Sequence, residues 1–142
     1  MYREIKQGLE EGYRFYEGID QFIDPFVDDG WIHLIGVSDK QEFQLLERFL
    51  QHLHQGEAAC LAIANHQDWL FLTDDAAARR EARRLGVRKS GSVGCLVLAI
   101  ERGLCTLKEA NHLLDGMIAH NYHSPVTDLT PFLQGSKFER NL

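Results

Sequence analysis

The sequence predicts an α/β fold with a short, mainly parallel sheet, and three observations carry the prediction. Residues 69–72 (WLFL) form an uninterrupted apolar run, as expected of a strand covered on both faces. Helical patterns flank it: an alanine-rich segment opening near Glu57 and an arginine-dense one over 76–85. Then Ser90-Gly91-Ser92-Val93-Gly94 turns into residues 95–100, apolar nearly all round, the composition of a central buried helix.

In chain order, residues 1–8 read as a short helix. Residues 9–18 read as a loop whose Tyr13, Phe15 and Tyr16 pack under it. Ile19, Phe22, Ile23, Phe26 and Val27 recur at helical spacing, with Pro25 as a kink or stop. Residues 28–30 are a turn and 31–37 (WIHLIGV) a strand, with His33 a strand residue rather than a ligand. Ser38 and Gln41 have the form of a capping box. The helix they open places Phe43, Leu46, Leu50 and Leu53 on one face, with Leu45 and Phe49 alongside. His52 and His54, two apart, point to different faces and make no zinc site.

Ala78, Ala82 and Leu85 form the inner stripe of the 76–85 helix, with Arg79, Arg80, Arg83 and Arg84 beside it. Residues 86–89 read as a short strand, and Ser90 or Ser92 as the cap of the next helix. Gly103 ends that helix. Thr106 and Glu109 form a second capping box, with Leu107, Ala110, Leu114, Met117 and Ile118 inward. His120 and His123 read as surface, 124–133 as a segment packed along the domain, and 134–142 as a polar tail. The expected organisation is one domain over 1–133 plus that tail.

Thr73, Asp74 and Asp75 fall at the carboxyl end of the WLFL strand, the edge where open α/β sheets bind ligands. Glu57, in the first turn of the preceding helix, is placed to reach the same rim. Carboxylates gathered there need a cation. Mg²⁺ or Mn²⁺ suits oxygen ligands and serves two-metal phosphodiester hydrolysis. The neighbouring arginines, Arg79, Arg80 and Arg83, then offer a ridge for phosphates, and Ser92 sits at a helix amino terminus that can hold one. A purely structural reading stands beside this one. Acidic residues at helix starts cap them and favour the dipole, and arginines near a helix end do the same there.

The chain has 142 residues, a formal net charge of −6, and 44% hydrophobic and 25% charged residues. These values suit a single soluble globular domain and exclude indiscriminate nucleic-acid binding, so any contact with RNA must be local. Cys60, Cys95 and Cys105 lack metal-type spacing and read as buried, reduced thiols of a cytoplasmic protein. No signal-peptide core opens the chain, and no apolar run approaches the ~20 residues a membrane span requires.

The segments GEAACLAIA, WLFLTDDAAARREARRLGV and SGSVGCLVLAIERGL resemble the bacterial PIN-like nuclease domain. More narrowly, they resemble a branch related to the toxin nucleases of type II toxin–antitoxin pairs. The resemblance covers about residues 1–133 and is most specific over 56–104. It implies a three-layer α/β/α fold, a carboxylate cluster, a divalent metal (Mg²⁺ or Mn²⁺) and an RNA substrate. Glu57 matches the acid opening the family's third-motif helix. Asp75 matches the acid after the following strand, with Asp74 as substitute, and the opening MYREIKQG places Glu4 in the set. The implied metal ligands are Glu4, Glu57 and Asp75, with Asp74 in support. The resemblance begins at about the family's second motif, so the expected domain is shortened at its amino end and lacks the first strand and its Asp. Two functions follow: a metal-dependent ribonuclease, or a non-catalytic module of the same ancestry that binds nucleic acid or protein. An exposed sheet edge would favour a homodimer or an antitoxin-like partner.

Overall fold

This computed structural model describes residues 2–11 and 18–133, apart from the side chains of Glu4 and Leu9. Tyr13, Phe15, Tyr16 and the 134–142 tail lie outside the described residues. Helices alternate with short strands in parallel pairs, so the chain is a mixed α/β protein. It divides into two compact units, residues 1–62 and 63–142.

In the first unit, α1 (Tyr2–Glu10) presents Tyr2 and Lys6 to Asp20: the Tyr2 hydroxyl donates to Asp20 Oδ1 at 2.9 Å, and the Lys6 ammonium pairs with Oδ2. The amphipathic helix expected from residue 19 is not there. A 3-10 turn, Ile19–Phe22, gives way to β1 (Ile23–Asp24), because a residue before proline is driven from helical into extended backbone. β1 pairs in parallel with β2 (Ile32–His33), in register Ile23↔Ile32 and Asp24↔His33. The strand expected over 31–37 shrinks to these two residues, and His33 is exposed beside Asp24, 3.2 Å from its Oδ2. Gly30 permits the crossing: a Cβ there would stand 2.3 Å from the Asp24 backbone nitrogen.

α2 (Lys40–Phe49) starts one residue later than the Ser38 box predicts. Asp39 is the cap, accepting from Gln41 N at 2.7 Å, and the Glu42 side chain accepts from Ser38 N and Asp39 N. Two overlapping signals compete, and the ionised pair makes the stronger bonds. Its inner face also shifts: Phe49 and Leu53 are buried, whereas Phe43 and Leu50 are about half exposed. α3 (Gln55–Gln67) begins in the first unit and ends in the second. Ala58, Leu61, Ala62, Ile63 and Ala64 are buried along it, as its small residues predict.

In the second unit, β3 (Phe71–Leu72) pairs in parallel with β4 (Lys89–Ser90), and α4 (Ala76–Leu85) forms the crossover between them. Only Phe71 of the apolar run is buried. Trp69, Leu70 and Leu72 are each about half exposed, so the strand is not covered on both faces. α5 (Ser92–Glu101) packs on α6 (Leu107–Ala119) around Val93, Val97, Ala110, Leu114 and Leu129. The Thr106–Glu109 capping box is present as predicted. Asn111 holds the returning segment, accepting from Leu129 N at 3.0 Å and donating to Asp128 at 3.1 Å, and α7 (Thr130–Leu133) follows. The three cysteines form no disulfide; Cys60 and Cys105 are half-buried rather than buried, and Cys95 is exposed because its position falls on the outer side of α5.

Candidate functional site

The parallel register of β3 and β4 decides what meets at their carboxyl ends. Phe71 N donates to Arg88 O at 2.9 Å and Thr73 N to Ser90 O at 3.0 Å, so the chain leaves both strands side by side. Asp74 therefore arrives next to Gly91 and Ser92, where α5 begins.

Gly91, the residue before α5, has no side chain with which to cap it. Asp74 does so from the neighbouring strand. Its Oδ1 accepts from Ser92 N at 3.0 Å and from the Tyr122 hydroxyl at 3.1 Å, and its Oδ2 from Ser92 Oγ at 2.5 Å. A carboxylate at this terminus is favoured by the helix dipole as well as by the bonds. The expected cap by Ser90 or Ser92 is thus replaced by a residue 18 positions away. Ser92 still takes part, but as a donor to Asp74. The Tyr122 pKa is raised, chiefly by burial, then by the charge of Asp74 and the hydrogen bond to it. Arg79 closes the corner, donating from Nη1 to Thr73 O at 3.0 Å.

Asp75 caps α4: its Oδ1 accepts from Ala78 N at 2.7 Å, and its own N–H donates to Thr73 Oγ1 at 3.1 Å. This is the structural role that its sequence context allowed. Both aspartates remain exposed. Glu57 lies in the first turn of α3, half-buried and within the amino-terminal unit. Glu4 lies on α1, with its side chain outside the described residues. Among the described residues, no three His, Cys, Asp or Glu side chains are grouped to hold a metal ion. The donor set points the same way. Asp74 is engaged with three hydrogen donors and Asp75 with a helix amide, so these two carboxylates do not by themselves fit the expected Mg²⁺ or Mn²⁺ centre.

The basic side of the site is built by α4. Arg80, Arg83 and Arg84 are exposed and Arg79 is half-buried. Arg84 is answered by Glu81, donating from Nε to Oε2 at 2.9 Å, and that bond raises the arginine's pKa. Lys89, on β4, is only 5% exposed. Burial pushes its pKa down, and the positive charges of Arg83 and Arg79 push it further. Sequence reasoning named Asp74, Arg79, Arg83 and Ser92 and missed Gly91, Lys89 and Tyr122. Lys89 carried a signal, a charge inside a predicted strand. Nothing local ties Tyr122 to a residue 48 positions earlier.

A family profile described as a PIN domain matches residues 2–137. The chain belongs to the PIN domain family. The match covers nearly all of this chain, and the family points to a nuclease-like or nucleic-acid-related role. No curated protein and no solved structure matches this PIN domain. Among its described residues, no helix is long and apolar enough to cross a membrane.

Proposed function

We propose that this PIN domain binds single-stranded RNA through the basic face of α4 and β4, as a module that does not depend on hydrolysis. One observation carries the reading: Asp74 and Asp75 each serve a helix start, while Arg79, Arg83 and Lys89 of the same unit have no acidic partner among the described residues. Phosphates supply the missing negative charge, and arginine forks match their geometry. RNA binding measured in EDTA tests it. Wild type should bind, and Arg80→Gln with Arg83→Gln should weaken binding about tenfold with little change in melting. Binding that is lost in EDTA, or unchanged in the double variant, rejects it.

A second reading, a Mg²⁺- or Mn²⁺-dependent ribonuclease, is favoured by the exposure of Asp74 and Asp75 at the carboxyl end of β3. It requires Glu57 and Glu4 to join them. Cleavage of RNA in Mn²⁺ that disappears in Glu57→Gln with Asp75→Asn would support it over the first. An antitoxin-like partner or a second copy fits either reading, and sedimentation at several concentrations measures the second copy.

A further inference from the structure

A lysine as buried as Lys89 almost always has an anionic partner, since a buried charge without one is costly. Among the described residues Lys89 has none: its side chain has no hydrogen bond or ion pair there, and the charges acting on it, Arg83 and Arg79, are both positive. Every fully enclosed side-chain nitrogen or oxygen among the described residues has a hydrogen-bond partner. The Lys89 ammonium, lacking one, must therefore reach solvent at the end of a buried stem. α4 packs against β4, and the four-residue spacing puts Arg79 and Arg83 on one face of that helix. Arg79 uses one of its five N–H groups on Thr73 O, leaving the others. Glu81 is engaged with Arg84.

Three cations thus share one small surface; the Asp74 carboxylate lies near Arg79 at the Gly91 corner, but no ion pair among the described residues neutralises Lys89 or Arg83. A phosphodiester brings a single negative charge. A phosphate monoester brings about −1.5 to −2 and three terminal oxygens, a closer match to an ammonium and two guanidinium forks. We propose that Lys89, Arg79 and Arg83 form a pocket for a terminal phosphate monoester of a nucleic-acid strand. The proposal rests on the RNA-binding reading only for the identity of the bearer.

The test uses the full chain in EDTA, so that hydrolysis plays no part. One short oligoribonucleotide is compared with a 5′-phosphate, with a 3′-phosphate and with hydroxyls at both ends. A phosphorylated end should bind about tenfold tighter, and the preferred end identifies the source. Lys89→Met should abolish that preference without weakening the hydroxyl-ended strand as much, and Lys89→Arg should keep it. Equal binding of all three strands, or a preference that survives Lys89→Met, overturns the pocket. Should Lys89→Met fail to fold, Arg83→Gln, at an exposed position, reads the same difference. If no strand binds, the RNA reading fails on its own, and inorganic phosphate decides the pocket. Phosphate should raise the melting temperature of wild type but not of Arg83→Gln, and no difference between them overturns the proposal.

Discussion

A methyl group on Gly91 would stand 2.3 Å from Asp74 Oδ1 and 3.1 Å from both Thr73 O and Arg79 Nη1. Gly91→Ala must therefore push the carboxylate off α5. Because two or more hydrogen bonds go with it, the expected cost is about 1–3 kcal/mol, read as a lower denaturation midpoint. Tyr122→Phe removes a single bond to the same carboxylate and should cost about 1 kcal/mol at neutral pH. The tyrosine's folded pKa lies above its ordinary value of 10.0. Its contribution is therefore complete below pH 10 and lost as pH rises through the folded value, because the unfolded chain gives up the proton first. The midpoint difference between wild type and Tyr122→Phe should shrink accordingly above pH 10. None of this corner is visible in local sequence. The Asp-Asp pair announces two acids but not that one turns to α4 and the other crosses to α5.

Helix ends were the most legible features, because caps are local chemistry. α4 has its predicted bounds, with Asp75 before it and Gly86 after it at φ 72°, where a side chain would be strained. α6 opens with the predicted Thr106–Glu109 box, and Thr106→Ala should cost about 1 kcal/mol, measured by chemical denaturation. Hydrogen bonds from the Thr106 backbone and then its side chain hold the Glu109 pKa below the usual carboxylate value of 4.5. This depressed group stabilises the fold above its unfolded pKa, and the benefit fades as pH falls through the folded one. The wild-type advantage over Glu109→Gln should therefore disappear in acid. Strands were the least legible, since each is two residues long. Such pairs are set by tertiary register rather than by a run of β-formers. Residues 19–27 failed for a related reason: helical spacing was real, but Asp24-Pro25 dictated extended backbone.

For the whole molecule, net charge and local charge oppose each other. The chain carries −6, yet α4 and β4 concentrate cations on one side of the carboxyl-terminal unit. Association with RNA should therefore be only modestly salt-dependent. With about three phosphates neutralised at ~0.7 per contact, log K against log salt should fall with a slope of about −2. A slope near zero would remove the basic face as the point of contact. The α/β class and the family were readable from the whole chain. The division into two units and the absence of a metal-ligand group among the described residues were not, because both depend on distances between parts remote in sequence.

The amide that opens α5 is already occupied by the protein itself. Any ligand seeking that seat must evict Asp74 and abandon its bonds with Ser92 and Tyr122. The domain thus carries a built-in decoy, a carboxylate of its own that fills the anion seat at the glycine turn.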